Sequence, residues 1–246
     1  MELYTHYDLP LSFDQRNSMR DALVRHAQGE PIQYIQGFAP FRHLDIKVNK
    51  SVLIPRPETE VLVDKTLEVI DALRSQKENL AIVDCCCGSG CIALSLAYER
   101  KNLDLYATDI SSEALNVAQK NIEAYGFSDS IALSQGDLLD TCDSESFDIV
   151  VSNPPYIPTE IIASLDTSVK DFEPILALDG GESGLELFVR LVQQAYEVLK
   201  SGGVFLCELH ETTLDEAARY AREAGFITVE VFPDLTNRPR ILVAYK

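Results

Sequence analysis

The sequence lacks any apolar run approaching the ~20 residues that a membrane-spanning helix requires. It also lacks internal repeats, low-complexity tracts and the basic-then-apolar start that is typical of a signal peptide. Hydrophobic residues make up 46% and charged residues 24% of the 246 residues, which is the balance of a folded globular protein. We therefore expect a cytoplasmic globular chain with one large domain, or with a main domain and a small addition, and we exclude a disordered or fibrous chain.

The sequence is also short of positive charge and of zinc-type cysteine spacing. Its 21 Lys and Arg stand against 39 Asp and Glu, so the formal net charge is −18. Because phosphate neutralisation supplies most nonspecific affinity for duplex DNA, this charge argues against direct contact with nucleic acid. The six cysteines include the adjacent Cys85–Cys87, and no two-by-two spacing is present. We expect reduced thiols and no metal site.

What the sequence does contain is a regular alternation of strand and helix patterns. A helix is predicted over residues 12–28 with Met19, Leu23 and Ala27 on one side, and a strand-like pattern follows from Ile32 to Ile54. A long amphipathic helix comes next, and after it short buried strands are predicted at 80–84, 103–109, 131–135, 147–152, 204–208, 226–232 and 240–245. Strand–helix–strand repeats with short connections indicate a largely parallel, doubly wound, Rossmann-like sheet of seven strands. The last two strands have no helix between them and predict an antiparallel pair at one end.

Small and acidic residues follow the first strands of the predicted sheet. Gly88 and Gly90 follow the first strand, Asp109 ends the second and Asp137 follows the third. Since the carboxyl ends of parallel strands share one edge, these residues are expected to meet in one pocket. The glycines permit a tight turn close to a ligand, Asp109 suits ribose hydroxyls, and Asp137 suits the exocyclic amine of adenine. Together they predict a cofactor that carries adenosine.

The stretch Gly88–Ala93 also fits the dinucleotide pattern G-x-G-x-x-A. An NAD-dependent oxidoreductase is therefore an alternative. That alternative leaves the segment after the fourth strand, Asn153-Pro154-Pro155-Tyr156, without a role.

This tetrapeptide suits chemistry on an amide or amino nitrogen. The two prolines hold an extended backbone, so the Pro154 carbonyl and the Asn153 side-chain oxygen can accept both hydrogens of a planar –NH₂ group. The Tyr156 ring can lie against the same flat group. Fixed acceptors help to pyramidalise a weakly nucleophilic nitrogen and to aim it at an electrophile. An adenine-N6 nucleic-acid methyltransferase would use a similar tetrapeptide, but it normally needs a basic groove.

At this point the sequence resembles class I S-adenosylmethionine-dependent methyltransferases. More narrowly, it resembles the bacterial peptide chain release factor N(5)-glutamine methyltransferases, the HemK/PrmC family. The matching stretches are Gly29–Ile32 with Gly37, Leu53–Glu60, Gly88–Gly90, Ile149–Ile157, Phe172–Pro174 and Asp234–Arg240. The resemblance implies methyl transfer from S-adenosyl-L-methionine, with S-adenosyl-L-homocysteine as product, to the glutamine of the Gly-Gly-Gln motif in class 1 release factors. A glutamine of a ribosomal protein is the alternative substrate.

The resemblance also implies roles for individual residues. The residues implied to hold the cofactor are Cys86, Cys87, Gly88, Ser89, Gly90, Asp109, Asp137, Leu138 and Asn153. Those implied to hold the glutamine are Asn153, Pro154, Pro155, Tyr156, Arg56 and Glu58, of which Asn153, Pro154 and Tyr156 are the catalytic ones. Residues 157–184 are expected to cover the cleft as a flap.

Two features depart from the family pattern. Cys86 and Cys87 stand where the family usually has Gly and Thr, and a cysteine at the first position demands a negative φ or some strain. The region before Gly29 is shorter than the family's usual helical domain. We therefore expect residues 1–57 to form a reduced docking region of helix and β-hairpin, and residues 58–246 to form the methyltransferase domain. A monomer is expected.

Overall fold

The computed structural model describes residues 9–75 and 77–246. The N-terminal part contains helices α1 (Phe13–Ala27) and α2 (Ile32–Gln36) and a hairpin of β1 (Phe38–Phe41) and β2 (Leu44–Lys47). The following helices are α3 (Pro57–Leu73), α4 (Cys91–Glu99), α5 (Ser112–Tyr125), α6 (Thr159–Ile162), α7 (Thr167–Lys170), α8 (Glu186–Val198) and α9 (Leu214–Ala224). The further strands are β3 (Leu80–Cys85), β4 (Leu103–Asp109), β5 (Ile131–Gln135), β6 (Phe147–Ser152), β7 (Leu199–Glu208), β8 (Thr228–Pro233) and β9 (Pro239–Tyr245).

The N-terminal helix and hairpin are present as predicted, with one correction. Residues Ile32–Gln36 form a helical turn, and the strand-like prediction is wrong there. The reason is a buried anchor: Tyr34 packs into the core, and its hydroxyl donates to the Val52 carbonyl at 2.6 Å. Gly37 then ends the turn at φ 81°, a left-handed conformation that glycine adopts easily.

Helix α1 begins with a capping box. The Ser12 hydroxyl accepts from the Gln15 backbone amide at 3.1 Å, and the Gln15 side chain accepts from the Ser12 amide at 2.9 Å. Its predicted apolar side does not turn inward: Met19 and Leu23 are exposed in the part of the chain that the structure describes. The predicted helix is therefore confirmed, and its apolar side is exposed.

The main sheet has seven strands in the order β5-β4-β3-β6-β7-β9-β8. The first five of these pair in parallel, while β9 runs antiparallel to both β7 and β8. The predicted mixed, mostly parallel sheet and its closing antiparallel pair are thus confirmed. Strand β7 begins five residues earlier than the predicted 204–208.

Helices cover both faces of this sheet. One apolar core lies between the sheet and α3, α4 and α5, and includes Leu62, Ile70, Leu94 and Ile122 together with Ile46 of the hairpin. The other core lies against α8 and α9. Strand β6 is buried along its whole length, which explains its apolar run from Ile149 to Val151. None of the helices within residues 9–75 and 77–246 combines the length and apolarity that crossing a bilayer requires.

The strand order reverses beside β3. This strand pairs with β4 on one side and with β6 on the other. Strands β4 and β5 are therefore added outward on one side of β3, and β6 and β7 on its other side. Cys85 is in register with both Thr108 and Ser152. The next residue of each strand or loop, Cys86, Asp109 and Asn153, therefore emerges at one edge. A crevice at such a switch point is where open α/β sheets bind ligands.

Candidate active site

A cavity of about 410 Å³ lies at this edge of the sheet. Its lining includes most of the predicted residues: Arg56, Cys86, Cys87, Gly88, Ser89, Asp109, Asp137, Leu138, Asn153 and Pro155. Four predicted residues lie outside the lining, namely Glu58, Gly90, Pro154 and Tyr156. The strand ends thus converge as expected, and the volume suits a cofactor-sized molecule.

One wall of the cavity is held together by Asp109 at the end of β4. Its Oδ2 accepts from the Gly88 backbone amide at 2.9 Å, and its Oδ1 accepts from the Ser111 amide at 2.9 Å. Burial raises the pKa of this carboxyl group, although the amides that donate to it oppose the shift. The carboxylate therefore fixes the glycine turn against β4 while its surface lines the cavity.

The turn itself bends back sharply. Gly88 has φ 54°, and a Cβ built on it would meet no protein atom within 4 Å. The open space in front of this position is the cavity, so a ligand can approach the bare backbone here. Such a glycine turn, beside the half-buried carboxylate of Asp109, fits an adenosyl cofactor.

Two non-glycine residues of the cavity lining also have a positive, left-handed φ. Cys86 has φ 60° and Leu138 has φ 61°, and both line the cavity. The sequence expectation for Cys86 was a negative φ or strain, and the structure shows the strained alternative. A left-handed residue of this kind costs roughly 1–2 kcal/mol and persists where its surroundings fix it. For Leu138, its carbonyl accepts from the Thr108 hydroxyl at 2.8 Å, which supplies such a constraint.

Asp137, predicted for the adenine amine, is half-exposed at the rim of the cavity. It forms an ion pair with Arg190 of α8, with 2.6 Å between Oδ2 and Nη2. Arg190 also lines the cavity and was not predicted. No sequence pattern indicated the pair, because the two residues are 53 positions apart.

The opposite wall rests on a buried carboxylate. The side-chain amide of Asn153 donates through Nδ2 to the Thr59 hydroxyl at 3.0 Å, and Thr59 donates to Glu208 Oε2 at 2.8 Å. The Tyr156 hydroxyl donates to Glu208 Oε1 at 3.2 Å. Glu208 is only 1% exposed, and this burial raises its pKa to about 6. We call these four side chains the Glu208 network.

The Glu208 network gives the predicted tetrapeptide a support that sequence analysis missed. The Nδ2 end of the Asn153 side chain contacts Thr59. The other end of the same amide, Oδ1, is therefore the one that is free to face the cavity, which Asn153 lines. Pro154 is buried behind the wall, and Pro155 lines it. Tyr156 lies in the network, with burial holding the pKa of its phenol above its usual range. Its contact with a substrate stays a prediction.

A second buried carboxylate ties the loop before α3 to the segment after β6. Glu173 forms an ion pair with Arg56 and also accepts from the Ile54 amide at 3.1 Å. The neighbouring residues Leu176 and Ala177 line the cavity, so this part of the expected flap does lie at the cleft. Glu58 sits in the first turn of α3, where a negative charge is favourable.

This fold, with its glycine turn, its acidic residue at the second strand end and its Asn-Pro-Pro-Tyr loop, defines a class I S-adenosylmethionine-dependent methyltransferase. Within that class, the chain belongs to the family of release factor glutamine methyltransferases. It is 39% identical over 237 residues to the release factor glutamine methyltransferase of Clostridium acetobutylicum, covering 94% of this chain and 82% of the relative. It is 41% identical over 226 residues to that of Moorella thermoacetica, covering 92% and 78%.

Two family models agree with this membership, and solved structures share the fold. Residues 61–166 match the methyltransferase small domain, and residues 1–37 match the PrmC N-terminal domain. A methyltransferase from Pyrococcus furiosus is 19% identical with a TM-score of 0.62, covering 92% of this chain and 98% of that one. The ribosomal protein L11 methylase of Lactobacillus delbrueckii is 20% identical with a TM-score of 0.55, covering 77% and 79%. At such identities the two structures show a shared fold alone. The family decides against the oxidoreductase alternative.

Proposed function

We propose that this chain transfers a methyl group from S-adenosyl-L-methionine to the side-chain amide nitrogen of the glutamine in the Gly-Gly-Gln motif of class 1 peptide chain release factors. The names of the relatives at about 40% identity support the substrate. The observation that carries the chemistry is the position of Asn153, which lines the cavity and whose side-chain amide donates to Thr59.

When bound, S-adenosyl-L-methionine supplies a methyl group on a positively charged sulfur. The protein's task is to present a weakly nucleophilic amide nitrogen. In our proposal, the Asn153 side-chain oxygen and the Pro154 carbonyl each accept one hydrogen of the glutamine –NH₂ group. Two fixed acceptors hold the nitrogen at one place and draw its hydrogens out of the amide plane, which weakens conjugation with the carbonyl. The extra proton leaves for water after transfer, so no side chain has to act as an early base.

The cofactor side of the proposal assigns a role to the glycine-turn wall. Asp109 would accept from the ribose hydroxyls, and the backbone from Cys86 to Gly90, with Ser89, would surround the methionine part. Leu138 would lie near the adenine, and Asp137 would accept from its amine. All except Gly90 line the cavity, which supports these assignments.

We further propose that residues 1–57 form the docking region for the release factor and that residues 58–246 form the methyltransferase domain. The exposed apolar side chains Met19, Leu23 and Val24 on α1 are available for such a contact. The acidic chain would act as a monomer and without contacting nucleic acid. Both points stay predictions.

Labelling with purified components tests the substrate. The chain is incubated with methyl-labelled S-adenosyl-L-methionine and a purified class 1 release factor, and peptides are mapped by mass spectrometry. We expect one methyl group on the peptide that contains Gly-Gly-Gln. A release factor whose motif glutamine is replaced by alanine is the matched control and should stay unlabelled. Label on purified ribosomal proteins, with none on the release factor, would move the assignment to the alternative substrate.

A further inference from the structure

Two members of the Glu208 network come from distant parts of the chain: Thr59 lines the cavity, and Glu208 lies outside its lining. Thr59 is in the first turn of α3, Glu208 ends β7, and the two residues are 149 positions apart. Their exposed fractions are 3% and 1%. A buried hydroxyl and a buried carboxylate are costly to the fold unless they are hydrogen-bonded, as these two are.

The chemistry of these groups decides the orientation of the Asn153 amide. An ionised carboxylate only accepts, so both Thr59 and Tyr156 must point their hydroxyl hydrogens at Glu208. A hydroxyl has one hydrogen, and Thr59 has therefore only its oxygen left to face Asn153. That oxygen can pair with Nδ2 of Asn153 but not with Oδ1. The amide is thus turned so that Oδ1 is its outward end.

We infer that Glu208 and Thr59 are positioning residues that set the polarity of the acceptor site, by holding Asn153 with its oxygen towards the cavity. This inference rests on the proposed function, since an outward oxygen serves a substrate that brings –NH₂ hydrogens. An inverted Asn153 would present its own –NH₂ group and would repel the glutamine amide at the same place.

The polarity of the network depends on one proton. A protonated Glu208 can donate, so Thr59 is no longer obliged to give its hydrogen to the carboxyl group. Thr59 can then donate to Asn153 Oδ1, which turns Nδ2 towards the cavity. Because burial raises the pKa of Glu208 to about 6, the inverted arrangement gains population as the pH falls through that value. Turnover should fall with it, in kcat/KM of the free enzyme.

Several other charged or titratable groups face this carboxylate. They are Glu58 of α3, Cys91 of α4, Tyr156 after β6, Cys207 of β7 and Arg240 of β9. His210 lies next to Tyr156, with 6.5 Å between the two ring centroids. Burial raises the pKa of the Cys91 thiol, and burial lowers the pKa of His210 below its usual range. His210 is therefore the group to separate from Glu208 in an acidic pH profile.

The test compares Glu208→Gln, Thr59→Val and Thr59→Ser in release factor methylation from pH 5 to 8. A glutamine side chain accepts at one end and donates at the other, so Thr59 and Tyr156 are no longer both obliged to donate to it, and valine has no hydroxyl. Each change therefore removes the constraint that fixes the Asn153 amide. We expect kcat at pH 7.5 to fall by about 10- to 100-fold in both variants, since misorienting a reacting group has effects of this size. Affinity for S-adenosyl-L-homocysteine should stay within about twofold. Thr59→Ser restores the hydroxyl and should restore kcat.

The acid limb is the second part of the test. The fall of kcat/KM towards acidic pH should be present in the wild type and in a His210→Gln control, and it should be absent from Glu208→Gln. The double variant Thr59→Val/Glu208→Gln should be no slower than either single one, because all three lose the same orientation. Wild-type kcat and an unchanged acid limb in Glu208→Gln would overturn the inference, as would equal losses of turnover and cofactor affinity.

A readout that needs no activity separates this inference from the proposed function. In protein labelled with ¹⁵N-asparagine, the side-chain amide signal of Asn153, assigned by its loss in Asn153→Ala, should shift with a midpoint near the pKa of Glu208. The shift should vanish in Glu208→Gln. An inactive wild type that shows the shift would contradict the substrate alone. An active wild type without the shift would contradict the inference alone.

Discussion

The two walls of the cavity are built by different means. The wall formed by the ends of β3 and β4 is largely backbone: amides point at Asp109, and Gly88 exposes bare chain to the cavity. The wall formed by the end of β6 is a relay of side chains that ends on the buried Glu208. A backbone wall suits a large ligand whose position must be fixed, whereas a side-chain relay sets the direction of a single hydrogen bond. Substitutions on the two walls should therefore damage different steps.

The largest expected effect is on the side-chain wall. Asn153→Ala removes the proposed acceptor of the reacting amide, and we expect kcat to fall by about 10²- to 10³-fold, as for other oriented groups that act at a transition state. Affinity for S-adenosyl-L-homocysteine, measured by calorimetry, should stay within about threefold of the wild type, because it depends on the other wall. Parallel losses of turnover and affinity would show that the two walls are not separable.

The reciprocal change is on the backbone wall. Asp109→Ala removes the carboxylate that holds Gly88 and faces the cavity, so cofactor affinity should fall by about 10- to 100-fold, the range for a charge-assisted hydrogen bond. At saturating S-adenosyl-L-methionine, kcat should recover to within a few-fold. Calorimetry and steady-state rates check the two parts. Asp109→Asn keeps one acceptor oxygen, so its cofactor affinity should lie between those of Asp109→Ala and the wild type. A kcat that stays low at saturation would contradict the division of roles.

A pair of glycines sharpens the comparison within the backbone wall. Gly88 and Gly90 both have positive φ, at 54° and 77°, so alanine at either is strained by roughly 1–2 kcal/mol. At Gly90 the new Cβ would also lie 3.2 Å from the Cβ of Ala118, whereas at Gly88 it would enter open space. Urea unfolding should therefore show Gly90→Ala as the less stable variant.

Cofactor affinity should separate the same two variants in the opposite order. The Cβ of Gly88→Ala would project towards the cavity and should weaken S-adenosyl-L-homocysteine binding more than Gly90→Ala does. If Gly88→Ala bound S-adenosyl-L-homocysteine with wild-type affinity, the ligand would not approach the backbone at Gly88.

The contrast between the two walls also explains which parts of the fold and site could be predicted from the sequence. The predicted strands 103–109 and 131–135 agree with the observed ends, since the helix cap Ser111 follows the first and Gly136 follows the second. The positions of Asp109 and Asn153 at one edge followed from the rule on parallel strand ends. Helix α2 was missed because five residues are too few to show a helical period.

The support behind the site could not be predicted in the same way. Thr59 lies in the matching stretch Leu53–Glu60, but its contact with Glu208 arises only because α3 packs on β7. Nothing in the spacing of one carries information about the other. Local patterns reveal what touches a ligand more readily than what holds those residues in place.

The smallest expected effect tests the rim of the backbone wall. The Asp137–Arg190 ion pair is half-exposed, so breaking it with Arg190→Gln should change the free energy of unfolding by less than about 1 kcal/mol. The two partners should nevertheless differ in cofactor binding. If Asp137 accepts from the adenine amine, Asp137→Asn should weaken S-adenosyl-L-homocysteine binding a few-fold, while Arg190→Gln leaves the acceptor intact and affinity within about twofold. Equal losses in the two variants would instead make the ion pair, and not the carboxylate alone, the feature that the cofactor requires.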